Sequence, residues 1–344
     1  MGFSFLNFFS SNIGVDLGTA NTLLYVKGKG IIVDEPSIIA LEEGTDKVVA
    51  VGNEARQMLG RTHNNINTIR PLKDGVIADF EATEIMIREF VKKANINRMM
   101  IGKIVICVPS GITEVEKRAV RDSAERAGAR EADLVAEAMA AAIGVGLEIS
   151  EPMGNMIVDI GGGTSEIAVI SLNGIVHFNS IRVGGDEMNL SIVQFFKRNH
   201  NLLIGEKTAE NIKCEIGSAD ELDEELEKDV KGRDLLDGIP KTIKISSKEI
   251  RNALNDPIAQ IIEAIKMSLE RTPPELAADI LDRGIILTGG GALLRNLDVR
   301  IRKETSMAIL IADDPLTCVV RGCGKILENP EKYQKVLVQN RKPM

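Results

Sequence analysis

The feature that most constrains the fold is a strand–turn–strand pattern that occurs twice. In residues 157–170, IVDIGGGTSEIAVI, apolar strands flank a triple-glycine turn, and Asp159 stands near the end of the first strand. In residues 13–26, IGVDLGTANTLLYV, Asp16 stands in the same place before a turn at Gly18. Strand-period apolar residues on both sides of each turn predict β-hairpins rather than strand-to-helix units. Two such hairpins, 143 residues apart, predict a duplicated domain with a site between its halves.

Both turns have the composition of a phosphate-binding site. Glycines such as Gly161, Gly162 and Gly163 let the backbone approach a ligand closely and direct its N–H groups at phosphate oxygens. An aspartate beside them suits a hydrated Mg²⁺, which prefers a few carboxylates together with water and phosphate. Taken singly, each turn also fits a tight glycine turn beside an edge strand. The repetition, with an aspartate in each copy, favours the phosphate site.

A third glycine turn lies in residues 284–297, GIILTGGGALLRNL, where a buried strand, a turn and a helix are predicted. It resembles G-x-G-x-x-G, but the sixth position is Leu294 and no acidic residue follows about 20 residues later, which disfavours a Rossmann dinucleotide site. The chain also lacks the G-x-x-x-x-G-K-[ST] pattern of P-loop enzymes. A glycine turn at a helix N-terminus suits the α-phosphate and sugar of a nucleotide. A close helix–strand crossing explains the same glycines equally well.

Composition excludes several classes of protein. A net charge of −8 and a pI near 5.2 argue against a nucleic-acid binder, which presents a basic face. The four cysteines form no C-x-x-C pair, and with only three histidines a zinc site is not expected. Cysteines without such a pattern are typical of a protein in a reducing compartment. No apolar run reaches about 18 residues, so we expect a cytoplasmic chain without a membrane span.

Two short apolar segments are candidates for a membrane contact. The first, residues 1–11, lacks the basic start and cleavage site of a signal peptide; its apolar residues are Phe3, Phe5, Leu6, Phe8 and Phe9. Insertion at a membrane interface, contact with a partner and packing into the protein's own groove all fit. The second is the loop 95–102, which groups Met99, Met100 and Ile101 between Arg98 and Lys103. An apolar tip with basic neighbours suits an anionic bilayer, although a buried loop is also possible.

Three further segments carry local structural signals. Thr113 and Glu116 form a capping-box pattern that predicts a helix start. The pair at 256–257, Asp-Pro, predicts the start of an amphipathic helix. Residues 218–229, SADELDEELEKD, are expected to form an exposed acidic segment.

Five stretches, in this order, resemble the signatures of the superfamily that contains actin, sugar kinases and DnaK-type chaperones. They are IGVDLGTANT for the first phosphate loop, VAEAMAAAIG for the first connecting helix, VDIGGGTSE for the second phosphate loop, ILTGGGALL for the adenosine contact and VVRGCGKIL for the second connecting helix. Within the superfamily, the chain is similar to the bacterial MreB family over essentially its whole length. The resemblance implies an α/β, actin-like ATPase fold with two duplicated ribonuclease-H-like domains, each with a smaller inserted subdomain, and a nucleotide cleft between them.

The resemblance also implies domain boundaries. Domain I would span 1–145, with its core at 1–32 and 66–145, an inserted subdomain at about 33–65, and a C-terminal helix at about 315–344. Domain II would span 146–314, with its core at 146–184 and 248–314 and an inserted subdomain at about 185–247.

Site residues follow from the same resemblance. Asp16 and Asp159 would position Mg²⁺ through water, and Glu137 would orient or deprotonate the attacking water with the help of Thr164. The residues implied to bind ATP or ADP are Asp16, Gly18, Thr19, Ala20, Asn21, Gly161, Gly162, Gly163 and Thr164 around the phosphates, and Glu206, Lys207, Glu210, Lys213, Gly289, Gly290, Gly291, Ala292 and Leu293 around the adenosine. For residues 206–213, an ordinary solvated helix face is the alternative.

The chain departs from the family at the catalytic helix. The family usually has Glu-Glu-Pro where this chain has Ala136, Glu137 and Ala138, and Ser165 replaces a threonine. Because Glu137 is retained, ATP hydrolysis is predicted, at a rate that the altered helix start would lower. A catalytically slow filament subunit is therefore an alternative. A small-molecule kinase is less favoured because the chain is shorter than typical sugar kinases, and a chaperone would need a further peptide-binding domain.

The implied function is that of a cytoskeletal protein. The family resemblance implies self-assembly into membrane-associated, antiparallel double filaments that determine cell shape. The expected partners are further copies of the chain and an anionic membrane surface, with paralogous filament subunits and membrane morphogenesis proteins as additional candidates. The expected location is the cytoplasm, peripheral on the inner face of the cell membrane.

Overall fold

Two five-stranded sheets form the framework of the computed structural model, which describes residues 10–45, 47–63 and 65–338. The elements of the first half are β1 (Ser11–Leu17), β2 (Asn21–Val26), β3 (Gly30–Pro36), β4 (Ile39–Glu42), β5 (Val48–Val51), α1 (Asn53–Met58), β6 (Ile66–Ile69), β7 (Leu72–Lys73), β8 (Val76–Ile77), α2 (Phe80–Lys93), β9 (Ile101–Val108), α3 (Glu114–Arg126), β10 (Glu131–Ala136) and α4 (Glu137–Val145).

The second half repeats this mixture of strands and helices. Its elements are β11 (Asn155–Ile160), β12 (Ser165–Ser171), β13 (Gly174–Ile181), α5 (Gly185–His200), β14 (Leu202–Leu203), α6 (Glu206–Ile216), β15 (Glu227–Asp234), β16 (Pro240–Ser246), α7 (Ser247–Glu270), α8 (Pro274–Arg283), β17 (Ile285–Thr288), α9 (Leu297–Thr305), β18 (Ile309–Ile311), α10 (Cys318–Glu328) and α11 (Pro330–Tyr333).

The two large sheets have the same topology. One has the strand order β10-β9-β1-β2-β3 and the other β18-β17-β11-β12-β13. In each, an antiparallel meander continues into two parallel strands, and the first strand of the hairpin lies at the centre. Both predicted hairpins are therefore confirmed, and the duplication suggested by their sequence extends to whole sheets.

Each half also carries a small three-stranded sheet. In the first half this sheet is β5-β4-β6, beside α1, and in the second it is β14-β15-β16. On the basis of these sheets we propose the domain division at 1–145 with 315–344, and 146–314. Helices α4 and α10 pack against each other, and α10 also packs on β1, so the C-terminal helix returns to the first half of the chain.

Helix α7 begins ten residues before the predicted start. Ser246 and Glu249 form a capping box at its N-terminus, and Pro257 is buried inside the helix. The prediction from Asp256 and Pro257 was wrong because the upstream capping box satisfies the first free N–H groups. Proline inside a helix is costly mainly through a lost hydrogen bond, and the packing of this helix's apolar face in the core offsets that cost.

Two other local expectations change in the structure. The acidic segment 218–229 is anchored rather than fully exposed: Ser218 is buried, and the Arg251 guanidinium donates to its Oγ at 2.9 Å, while residues from Glu227 onward join β15. The third glycine turn does not enter an α-helix directly. A 3₁₀ turn covers Gly290–Leu293, and α9 begins only at Leu297.

Candidate functional site

A cavity of about 500 Å³ lies between the two halves, where the two hairpin turns meet. The predicted residues that line it are Asp16, Gly18, Thr19, Ala20, Asn21, Glu137, Asp159, Gly161, Gly162, Gly163, Thr164, Glu210, Lys213, Gly289, Gly290, Gly291 and Leu293. Residues separated by more than 250 positions in sequence thus surround one space, whose volume falls within the range of ligand pockets.

The two hairpin turns face each other at very short range. Each is closed by the same hydrogen bond, from Gly18 N to Asn21 O at 3.1 Å and from Gly161 N to Thr164 O at 2.9 Å. A Cβ on Gly162 would lie 2.7 Å from Ala20 Cβ. Such a distance leaves no room for a side chain, so the glycines keep both backbones close to whatever occupies the cavity.

Asp16 and Asp159 place two carboxylates at the ends of the paired hairpin strands. Burial raises the pKa of Asp16 to about 8, with the charges of Asp159 and Asp34 adding to the effect. Burial also raises the pKa of Asp159 to about 6, although the Thr288 hydroxyl, which donates to it at 2.8 Å, opposes the shift. In the described part of the chain neither carboxylate forms an ion pair. Two enclosed carboxylates that lack a counter-charge fit a divalent cation such as Mg²⁺.

Glu137 is the first residue of α4 and reaches the same cavity. Burial raises its pKa well above the usual range, and the charges of Glu166, Asp16 and Asp159 raise it further. Its neighbour Ala136 occupies the N-cap position and supplies no side-chain hydrogen bond. The carboxyl group therefore lies beside the positive end of the helix dipole and lines the cavity.

Ion pairs cross the outer part of the cleft. Arg56 on α1 pairs with Glu210 on α6, 154 residues away. Arg70 pairs with Asp186 on α5 at 3.3 Å and approaches Glu206 at 3.9 Å. The first contact joins the small subdomain, and the second joins the segment after β6, to helices of the second half, so both connect the two walls of the cavity directly.

The third glycine turn lies between the end of β11 and the cavity. Gly289 has a φ of +78°, and a Cβ there would lie 2.4 Å from Ile160 O. A Cβ on Gly291 would lie 2.2 Å from the Ile160 side chain. The turn thus packs closely on the end of β11, and it also lines the cavity.

Comparisons with known proteins agree with this architecture. A family model described as MreB/Mbl protein matches residues 10–335. The chain belongs to the MreB/Mbl family. The cell shape-determining protein MreB of Escherichia coli (strain K12) is 54% identical over 330 residues, covering 94% of this chain and 95% of that protein. The cell shape-determining protein Mbl of Bacillus subtilis (strain 168) is 50% identical over 330 residues, with coverages of 95% and 98%.

Solved structures show that the fold is actin-like. MreB5 of Spiroplasma citri bound to ADP has a TM-score of 0.90 at 39% identity, covering 95% of this chain and 98% of that chain. The same protein bound to AMPPNP gives the same values. A MamK double helical filament matches with a TM-score of 0.79 at 23% identity, covering 93% and 99%, and supports the fold alone. The fold expected from the sequence resemblance is confirmed.

Within this MreB/Mbl fold, three predicted nucleotide contacts do not line the cavity. Glu206 and Lys207 are exposed at the start of α6, and Glu206 approaches Arg70 instead. Ala292 is fully buried in the 3₁₀ turn. Of the predicted residues on α6, Glu210 and Lys213, one and two turns further along, line the cavity, because a helix presents one face at a spacing of three to four residues.

Sequence reasoning missed several residues of the cavity wall. They include Arg56, Asp186, Met188, Asn189, Cys214 and Arg295. Residues 184–189, GGDEMN, begin α5, and the backbone N–H groups of Gly185 and Asp186 donate to Gly161 O and Gly162 O at 3.0 and 2.8 Å. A glycine pair before an amphipathic helix was the available signal for this wall.

The predicted membrane residues fall into two groups. Phe3, Phe5, Leu6, Phe8 and Phe9 lie outside the described residues. In the loop before β9, Met99 is 84% exposed and Met100 is partly exposed. Ile101 is fully buried as the first residue of β9, so its prediction as a membrane residue was wrong, because its side chain packs in the core. Among the described residues, no helix is long and apolar enough to cross a membrane.

Proposed function

We propose that this chain is a cytoskeletal ATPase that binds Mg-ATP in the cleft and assembles into filaments that determine cell shape. The observation that carries the proposal is the meeting of two glycine turns, each with an aspartate at the end of its strand, across one cavity that also contains Glu137. Relatives that are named cell shape-determining proteins, and a structural neighbour described as bound to ADP and to AMPPNP, support it.

The geometry suits phosphoryl transfer to water, which depends mainly on positioning and charge neutralisation. Backbone N–H groups of the two turns would hold the β- and γ-phosphates. Asp16 and Asp159 would hold Mg²⁺, which when bound neutralises phosphate charge. Glu137 would orient the attacking water and accept its proton, since burial and the nearby carboxylates raise its pKa and so strengthen it as a base. Thr164, at the end of the second turn, would help to position this water.

The rate of phosphate release tests the proposed hydrolysis of ATP. We expect Glu137→Ala to reduce hydrolysis about 100-fold or more, in keeping with the loss of a general base, while ADP affinity changes little. Glu148→Ala, an exposed glutamate just beyond α4, is the matched control. Wild-type rates in Glu137→Ala would exclude this role. A very low rate in the wild-type chain, with filaments still formed, would favour the catalytically slow structural subunit.

Electron microscopy of the purified chain with and without Mg-ATP tests assembly. Paired filaments are expected, and the proposed antiparallel arrangement would give them two-fold symmetry. Persistent monomers well above micromolar concentration would favour a small-molecule kinase of the same superfamily.

We also propose that the filaments bind the inner face of the cell membrane through the segment 1–10 and the tip at Met99 and Met100. An exposed Met99, next to Arg98 in the sequence, favours an anionic bilayer. Deletion of residues 1–10 is expected to abolish most co-sedimentation with anionic liposomes, and unchanged co-sedimentation would contradict this role of the segment.

A further inference from the structure

One polar atom in the cavity wall has no partner. Asn189 lies on α5, its side chain is only 7% exposed, and its Oδ1 accepts no hydrogen bond. Among the described residues that line the cavity, Asn189 alone has a buried polar side-chain atom without a hydrogen-bond partner. Buried carbonyl oxygens normally have a donor, so the site requires one from its ligand.

Neighbouring acceptors on the same wall are already engaged. Asp186, one turn earlier on α5, pairs with Arg70, and Glu210 pairs with Arg56. Lys213 donates from Nζ to Gly185 O at 2.9 Å. The wall therefore has two paired carboxylates, while Oδ1 of Asn189 is buried and accepts no hydrogen bond.

The chemistry of a nucleotide limits what this acceptor binds. Phosphate oxygens only accept hydrogen bonds at neutral pH, so they give Oδ1 nothing. The donors on an adenine nucleotide are the two ribose hydroxyls and the amino group of the base. Asn189 lies about 6 Å along α5 from Gly185. The N–H group of Gly185 donates to Gly161 O in the triple-glycine turn that is proposed to bind phosphate. Because the ribose follows the phosphates directly, its hydroxyls are the donors nearest to this position.

We propose that Asn189 Oδ1 accepts a hydrogen bond from a ribose hydroxyl of the bound nucleotide and thereby sets the preference for ribonucleotides over deoxyribonucleotides. The inference rests on the proposed nucleotide-binding function and adds a sugar-specificity residue to it. A site that hydrogen-bonds a substrate hydroxyl rejects the analogue that lacks it, because its own polar group is then left unpaired.

Calorimetric titration of the full-length chain with ADP, 2′-deoxyADP and 3′-deoxyADP tests the proposal without interference from hydrolysis. The wild-type chain should bind ADP roughly threefold to tenfold more tightly than at least one deoxy analogue, as expected for one uncharged hydrogen bond. Asn189→Ala should weaken ADP binding by the same factor and leave binding of that analogue unchanged. Asn189→Asp, which retains an acceptor oxygen, should keep the preference even if it lowers every affinity.

Asn252→Ala, an exposed asparagine on α7, is the matched control and should behave as wild type. Equal losses for all three nucleotides in Asn189→Ala, or no loss for ADP, would overturn the proposal while leaving nucleotide binding intact. Failure of the wild-type and Asn252→Ala chains to bind any of the three would instead overturn the proposed function. Thermal unfolding of each variant shows whether a loss reflects misfolding.

Discussion

Two glycines let α4 and α10 cross with their backbones in contact, and this crossing gives a quantitative prediction. A Cβ on Gly322 would lie 1.9 Å from Ala140 O and 2.5 Å from its carbonyl carbon. A Cβ on Gly144 would lie 1.8 Å from Cys318 O. All of these are backbone atoms, which cannot rotate aside. Gly322→Ala must therefore move the two helices apart.

The cost of Gly322→Ala can be worked out from this geometry. Alanine is favoured over glycine in a helix interior by about 1 kcal/mol, so the substitution would stabilise α10 if space allowed. Restoring an ordinary contact requires a separation of about 1.5 Å, and overpacking of this kind costs about 1–3 kcal/mol, occasionally more. Set against the gain of about 1 kcal/mol in helix propensity, we expect a net loss of up to about 2 kcal/mol in the free energy of unfolding. Because α4 begins at Glu137, a shift of ~1 Å would also lower the hydrolysis rate by up to ~100-fold.

Thermal unfolding and phosphate release measure the two effects. Gly324→Ala is the matched control on the same helix, because the three atoms nearest to its Cβ, at 2.7–2.9 Å, all belong to the Tyr25 side chain and none to the backbone. We expect Gly322→Ala to melt several degrees below Gly324→Ala and to lose more in hydrolysis than in ADP affinity. If Gly322→Ala were as stable as Gly324→Ala and hydrolysed ATP at the wild-type rate, the reasoning about the crossing would be refuted.

Three further predictions concern the cleft and the surface. Arg56→Gln should speed ADP release about fivefold, as expected for ~1 kcal/mol from a half-buried ion pair, and stopped-flow release measures this. Lys47→Gln, directly before β5 of the neighbouring small sheet, is the control. An unchanged rate in Arg56→Gln would show that the pair does not close the cleft. In the metal-free protein, the pKa of Asp16 near 8 and of Asp159 near 6 mean that the folded chain binds protons that the unfolded chain has released. The contribution of these two carboxyl groups to stability is therefore lost as pH rises through 6 and then 8. Stabilisation by Mg²⁺ in thermal melts should increase from pH 6 to 8. The same stabilisation at both pH values would contradict this expectation. Met99→Asp should weaken co-sedimentation with anionic liposomes. Leu236→Asp, at a residue that is 81% exposed and lies outside this loop, is the control and should not weaken it. Equal effects of the two substitutions would assign no special role to the loop.

The parts of the fold that the sequence predicts are those specified by neighbouring residues. Each hairpin combines strand-period apolar residues, an aspartate and a glycine turn within about fifteen positions, and both were located correctly. Thr113 and Glu116 likewise cap α3 as predicted. The start of α7 was missed because two valid start signals, Ser246 with Glu249 and Asp256 with Pro257, compete in one segment, and only packing decides between them.

The outer wall of the site depends on how the two halves meet, which no local pattern encodes. Arg56 and Glu210 approach each other only because a small sheet in one half closes on a helix in the other. Asn189 stands out only when its burial and its lack of a partner are both known. Ile101 shows the same limit on a smaller scale, since three consecutive apolar residues did not reveal where the loop ends and β9 begins.

The changed start of α4 has a physical consequence that its sequence alone did not reveal. Ala138 is fully buried, so a small residue fits there, and Ala136 holds the N-cap position without a capping side chain. An acidic residue at position 136 would add a further negative charge near Glu137, whose pKa is already raised by Glu166, Asp16 and Asp159. Its absence avoids raising that pKa further. Glu137 is therefore easier to deprotonate than it would be beside a second glutamate, which favours its proposed role as the base.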